Sequence, residues 1–326
     1  MRVSLPELRQ TTFRALARQG YPPAEAEIIL DVLLYAQLRG NNQGIVKLIG
    51  AGMPHSADAG PITIVRETPV SALLDGAQNA GMVVLRAALD LALEKAEAHG
   101  FGLVGTHHTN TSTGAIGYYA SIGAKAGCIT FVFAGSGEYV AMHGSYQPML
   151  GTNPLAVGIP SAGEPVVFDM ATSAIARFGI VEAQAAGRPI PPDVALGPDG
   201  QPTTDAATAL KGAIRTFGGY KGAALALIVE LLTGPLVETT RTPDGRKTDW
   251  GNLVLAFHPS LLTDAGDFAA RVGTITANVK GARRLPDVDE ILIPGERGNR
   301  LMARALADDA LEIDDALWSA LQRAAD

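Results

Sequence analysis

The chain switches repeatedly between the two hydrophobic periods that mark helix and strand. Leu5, Leu8, Phe13 and Leu16 recur at helical spacing behind Ser4-x-x-Glu7, which has the form of a capping box, and Gly20 is a natural stop. A second helix is predicted after Pro23, with Ile28, Ile29, Val32 and Leu33 inward and an end near Gly40. So short a helical pair must dock on another surface. Residues 41–79 are irregular or strand-like, with Ile62-Thr63-Ile64-Val65 the best strand. Helix and strand then alternate: helix over 82–98, strand over 101–105, helix over 113–126, strand over 128–134, strands over 155–159 and 166–168, and helix over 172–187. Residues 188–208 hold five prolines and the run Gly197-Pro198-Asp199-Gly200, and predict a long ordered loop or a lid. Residues 219–233 predict a helix apolar enough to be buried on all sides. A polar loop over 239–250, a strand over 252–257 and helices near 264–280, 297–307 and 314–324 complete a mixed α and β chain.

Composition narrows the function classes. With 326 residues, 47% of them hydrophobic and 18% charged, the chain can bury a sizeable core in one or two domains. The net charge of −7, without a basic block, speaks against nucleic acid as a partner. No uncharged apolar run reaches membrane-span length and the start, Met1-Arg2-Val3-Ser4, has no apolar leader core, so a cytoplasmic protein with no membrane partner is expected. The single cysteine, Cys128, excludes an intramolecular disulfide and a cysteine-rich zinc site. Its neighbours Ile129-Thr130-Phe131 read as buried strand, so packing rather than reactivity is its expected role.

Familiar cofactor motifs are missing. Gly135-Ser136-Gly137 lacks the third glycine of a dinucleotide fingerprint, since Glu138-Tyr139-Val140 follow, and reads as a tight turn. No phosphate loop, HExxH pair or GxSxG elbow occurs. Asp287-Val288-Asp289-Glu290 reads as a solvated link rather than a cation site, and no metal is expected.

Two segments carry more. Gly151-Thr152-Asn153-Pro154-Leu155-Ala156 and Phe168-Asp169-Met170-Ala171-Thr172-Ser173 resemble the signature of the malate/L-lactate dehydrogenase-like oxidoreductases, a family that includes ureidoglycolate, sulfolactate and 2,3-diketogulonate enzymes and the piperideine- and pyrroline-carboxylate reductases. Further anchors in the same order are Leu38-Arg39-Gly40, the run from Thr113 to Tyr119, Lys221-Gly222, the run from Val254 to Pro259, and Pro294-Gly295-Glu296. The resemblance implies a non-Rossmann α/β fold with a largely antiparallel central sheet and surrounding helices. It implies an N-terminal helical region, 1–75, packing with C-terminal helices, 260–326, beside a cofactor-binding α/β domain, 76–259. It also implies an extended NADPH or NADH, a small carboxylic acid substrate and a homodimer. Cofactor contacts carried over by position are Ser136, Asp169, Met170, Ala171, Lys221, Gly295, Glu296 and Arg297. Asp169 has an alternative role as N-cap of the 172–187 helix. A lysine at the start of the 219–233 helix opposes the helix dipole, which argues for an anion near Lys221.

The chain departs from the family pattern at two places. After Arg39-Gly40 the family carries a histidine-rich run and then an arginine thought to hold the substrate carboxylate; here Gln43 stands where a histidine precedes glycine, and Lys47 replaces the arginine. Ser112 stands where relatives have a histidine two residues before the glycine of the Gly-Ala-x-Gly-Tyr-Tyr run. Reducing a ketone makes an alkoxide that must gain a proton, and losing a general acid costs about 10²–10⁴ in rate. Reducing an iminium leaves a neutral amine and needs no such proton, with Asn41, Asn42, Gln43 and Ser112 free to orient substrate by hydrogen bonds. The reading is therefore an NAD(P)H-dependent reductase of a small 2-imino or 2-oxo carboxylic acid, the imino acid slightly favoured. Lys47, Gln43, Ser112 and Asn153 are its expected site residues, and His143 and His108 are candidates to replace the lost acid. His107, beside His108, and His55 are weaker candidates, and Arg177 and Arg188 are possible partners of a 2′-phosphate. The alternative is a cofactor-binding pseudoenzyme with a regulatory role.

Overall fold

The computed structural model describes residues 1–242 and 248–326. In chain order, β1 (Arg2–Ser4), α1 (Leu5–Arg18) and α2 (Pro23–Leu38) lead through a 3₁₀ turn at Ile45–Leu48 to a hairpin of β2 (Thr63–Thr68) and β3 (Ser71–Asp75). Then come α3 (Gly81–His99), β4 (Phe101–Thr109), α4 (Gly117–Lys125), β5 (Ile129–Ala134), β6 (Val140–Ala141), β7 (Pro148–Leu150), β8 (Leu155–Ile159) and β9 (Val166–Met170). The remainder holds α5 (Arg177–Ala185), β10 (Ala195–Leu196), α6 (Ala206–Lys211), β11 (Ala213–Ile214), α7 (Tyr220–Thr233), β12 (Trp250–Phe257), α8 (Ala265–Lys280), α9 (Glu296–Ala307), β13 (Ala310–Glu312) and α10 (Asp315–Ala325).

A seven-stranded sheet in the order β2-β3-β4-β12-β5-β8-β9 forms the centre, and only β3 and β4 pair in parallel. The period-2 pattern of its strands sorts their side chains between two faces. Val104, Val132, Val254 and Ala256 point into the main core with α3, while Leu103, Phe133, Leu253 and Leu255 meet Leu232 and Val237 on the other side. Two glycines let helices approach the sheet: a Cβ at Gly102 would strike the Ala92 backbone of α3, and one at Gly158 the Ala120 backbone of α4. A smaller sheet, β10-β11-β6-β7, packs with α5 and α6 around Val140, Ile180, Ala195 and Ile214. β1 pairs with β13, and α1 packs on α10 beside Trp318 and Leu321.

Several boundaries differ from the sequence reading. The 101–105 strand runs on to Thr109, so His107 and His108 lie on it rather than after it. The 113–126 helix begins only at Gly117, because Thr111 and Gly114 are left-handed with φ of 58° and 72°. The 172–187 helix begins only at Arg177; its expected first turn is held extended by Thr172 N–H to Thr152 O and Ala174 N–H to Arg215 O. Asp169 consequently does not cap that helix, and its carboxylate instead accepts the Gly117 N–H at the start of α4, at 2.8 Å. Gly135-Ser136-Gly137 lies in the link between β5 and β6, without the helix a dinucleotide fingerprint opens. The 188–208 segment contains β10 and the start of α6. Of the expected 239–250 loop, residues 243–247 lie outside the described residues.

The helix over 219–233 is not buried all round. Tyr220–Val237 is long and apolar enough to span a membrane by composition, but it carries Lys221 and Glu230 and packs its Ala223, Ala226 and Val229 face inward, with contacts to β5 and β12. Leu227, Ile228 and Leu231 face outward. Cys128 directly precedes β5 and is buried, and burial pushes its thiol pKa up, as expected of an inert packing residue.

Candidate active site

A cavity of 710 Å³ opens between the 3₁₀ turn that follows α2, the link from β4 to α4, and the link from β9 to α5. Lys47 enters from the 3₁₀ turn and is only 3% exposed. Its ammonium donates to Ser112 Oγ at 2.9 Å and stands 3.9 Å above the Phe178 ring. No carboxylate among the described residues pairs with it. Burial disfavours its charged form and lowers the pKa to about 7. Ser112 Oγ is fixed in turn by accepting the Gly114 N–H at 3.1 Å. Gln43 lies on the same wall, its amide donating to Asn42 Oδ1 and its backbone N–H to Asn41 Oδ1.

The opposite wall holds Asp169, Met170 and Ala171 from the end of β9, with Ser136, Thr152 and Tyr139 beside them. Ser136 Oγ accepts the Thr152 N–H at 2.9 Å and so locks the two glycine-rich turns together. Arg177, the first residue of α5, lies over the Tyr139 ring at 4.1 Å and is paired with no carboxylate among the described residues. The Asp169 carboxyl is pushed up to about 6 by desolvation, against the Gly117 N–H and the charge of Arg39, which lower it. Asp169 is at the same time open to solvent along the cleft.

A second cavity, of 550 Å³, shares Asn41, Asn42 and Asp169 with the first and continues the cleft toward the start of α9. Gly295 and Arg297 line it. Gly295 is left-handed, with φ of 88°, and a Cβ there would lie 2.9 Å from Val167 O. Arg39 pins this corner by donating to Gly295 O at 2.9 Å and to Asn299 Oδ1.

The sequence-derived candidates thus divide. Lys47, Gln43, Ser112, Ser136, Asp169, Met170 and Ala171 come together in one cavity, and Gly295 and Arg297 lie on its extension. Glu296 does not line the cleft; its carboxylate is held by Lys280 and Arg300. Asn153 is fully buried and does not line the cavity; its amide donates to Ala226 O and Glu230 Oε2 of α7. His143 is exposed between β6 and β7, next to Tyr220, and Lys221 is exposed on the first turn of α7. His108 pairs with Asp75 outside the cavity. His55 faces Glu25 and Tyr21, and Arg188 is likewise off the cavity wall. Sequence reasoning missed Phe178, Tyr139, Trp250 and the bracing role of Arg39. Arg39 lay in an anchor motif, but only the fold reveals its reach to a residue 256 positions away.

Residues 3–322 match the family model described as malate/L-lactate dehydrogenase. The chain belongs to that family. It is 39% identical to an L-sulfolactate dehydrogenase of Methanothermobacter thermautotrophicus, over 97% of this chain and 94% of the relative. It is 32% identical to a Δ¹-pyrroline-2-carboxylate/Δ¹-piperideine-2-carboxylate reductase of Pseudomonas aeruginosa, over 97% of each. The solved structure of the sulfolactate dehydrogenase of Methanocaldococcus jannaschii superposes with a TM-score of 0.81 at 31% identity, over 99% of this chain and 96% of that one. The fold and the class are therefore those of a dehydrogenase or reductase, and the protein is an oxidoreductase.

Proposed function

We propose that the protein reduces a small 2-oxo or 2-imino carboxylic acid with hydride from NADPH or NADH. The observation that carries this reading is Lys47: a buried ammonium facing a cavity, with a hydroxyl and an aromatic ring as neighbours and no carboxylate. Such a cation is costly until an anion arrives, which makes it a built receptor for a carboxylate. The site fits a nicotinamide dinucleotide. The cleft is long, is lined by Arg297 and Arg177 without carboxylate partners among the described residues, and passes Gly295, where a side chain would strike Val167. Arg297 and the α9 N-terminus suit phosphate oxygens, and the Ser136, Met170 and Ala171 wall suits the end of the cofactor nearer Lys47. When bound, the nicotinamide supplies the hydride.

The chain's own residues do the rest. Of the three ammonium donors of Lys47, one is engaged by Ser112, which leaves two for adjacent substrate atoms, a carboxylate oxygen and the heteroatom on the second carbon. A bound carboxylate restores the charge of Lys47. With a 2-oxo acid, the same ammonium can then hold or donate the proton that the developing alkoxide requires. With a 2-imino acid, the nitrogen arrives protonated and Lys47 serves only to orient. Phe178 and Met170 exclude water from this end.

A homodimer is part of the proposal: outward-facing Leu227, Ile228 and Leu231 of α7 form an apolar strip of the kind a second copy covers. The experiment is steady-state oxidation of NADPH and of NADH with a panel of small 2-oxo acids and cyclic 2-imino acids. Turnover of one class supports the reading. Cofactor binding with no turnover across the panel would favour the regulatory, non-catalytic alternative.

A further inference from the structure

His107 and His108 were singled out by the sequence, and the cavity uses neither. They meet Asp75 at the open end of the β3–β4 pair, where Asp75 and His107 are register partners. Consecutive strand residues normally point to opposite faces. Here the two imidazoles lie side by side, centroids 4.4 Å apart, because His108 is left-handed with φ of 49° and swings its ring back toward His107. The ligand atoms of Asp75, His107 and His108 all lie within 4.8 Å of one another.

We propose that these three residues bind a borderline divalent transition-metal ion, of the zinc or nickel kind, at a site separate from the reductase cavity. Three observations support it. His107 Nδ1 lies 2.9 Å from Val237 O, and a carbonyl only accepts, so Nδ1 carries the proton and Nε2 has the free lone pair. A backbone carbonyl on the far ring nitrogen is the usual outer partner of a metal-bound histidine. His108 Nδ1 and Asp75 Oδ1 are 3.1 Å apart, close to the ~3.3 Å that separates two donors about 2 Å from one tetrahedral ion. Asp75 Oδ1 also accepts the Ala77 N–H at 2.7 Å, which fixes the carboxylate and leaves the other lone pair of that oxygen for the ion.

The site is both anchored and reachable. Gly76 N–H to His107 O and Gln78 N–H to His108 O hold the two backbones together, while the side chains of His108 and Asp75 are 36% and 32% exposed. Two imidazoles and one carboxylate favour Zn²⁺, Ni²⁺ or Cu²⁺ over Ca²⁺ or Mg²⁺. Such binding would run against the expectation, drawn from motifs alone, of no metal; the spacing of Asp75 from His107 and His108 matches no sequence pattern because a parallel strand pair brings them together.

The test is calorimetric titration of chelator-treated full-length protein with zinc chloride and with nickel chloride, in wild type, His108→Asn and Asp75→Asn. Asparagine tolerates the left-handed backbone at position 108 and so preserves the fold there. One ion per chain in the wild type, with affinity about 10- to 100-fold weaker in each variant, is expected. No binding below millimolar metal, no preference for zinc or nickel over magnesium, or wild-type affinity in both variants would overturn the site. X-ray absorption of the zinc-loaded wild type gives a reading independent of any variant: two imidazole ligands are expected, and none would reject the proposal.

Discussion

Lys47 concentrates the chemistry at the scale of single residues. Its pKa near 7 lies below the ordinary lysine value of about 10.4, so between those limits the unfolded chain binds the extra proton and the free protein gains stability from this group as pH rises. A bound carboxylate reverses the preference by stabilising the charged form. Affinity for an acidic substrate should accordingly fall as pH climbs above about 7, read as a rising KM, and substrate binding near neutrality should take up protons in buffers of different ionisation enthalpy. Lys47→Arg keeps its charge and should move the alkaline loss of affinity to higher pH, although its planar fork fits beside Ser112 less well. The exposed His143 should matter little: His143→Ala is expected to keep turnover within about tenfold, short of the 10²–10⁴ for a lost general acid, and a larger fall in a folded variant would return it to the chemistry. Lys47 and Ser112 were legible in the chain because they stand at displaced family positions. Phe178 was not, since an aromatic residue early in a helix has no sequence mark that says what it covers.

At the scale of elements, the site depends on where helices begin. The first N–H of α4, that of Gly117, is met by a carboxylate from another element, Asp169 of β9, and that contact ties the cavity wall to the helix. Long periodic helices such as α3 and α10 were readable within a residue or two, because their apolar stripes are local information. The β2–β3 hairpin and the β1–β13 pair were only partly visible or missed, because short strands take their stability from partners far along the chain. Close packing of α3 on the sheet is equally non-local. Gly102→Ala places a methyl against the Ala92 carbonyl and should cost about 1–3 kcal/mol in denaturant unfolding while leaving KM near wild type. An unchanged midpoint would mean that α3 shifts freely on the sheet.

Across the whole molecule, the antiparallel sheet explains why no glycine-rich dinucleotide fingerprint is needed. The cleft is assembled from segments distant in the chain, among them the turn after α2, the β4–α4 link, the end of β9 and the start of α9, and Arg39 spans from the first of these to the last. The exposed strip on α7 should make the protein a dimer at micromolar concentration by light scattering, and Ile228→Glu should shift it toward one-chain mass; a wild type of one-chain mass at every concentration would remove that strip from any self-interface. The central claim is that the cavity receives a carboxylate on Lys47. Its most direct test is kcat/KM for a substrate acid and for the methyl ester of the same acid, in wild type and in Lys47→Met, at one pH below 7. Wild type should prefer the free acid, and Lys47→Met should lose about 10- to 100-fold more on the acid than on the ester, the excess appearing in KM, and keep its NAD(P)H affinity. Equal turnover of acid and ester by the wild type, or equal losses on both in the variant, would contradict the account.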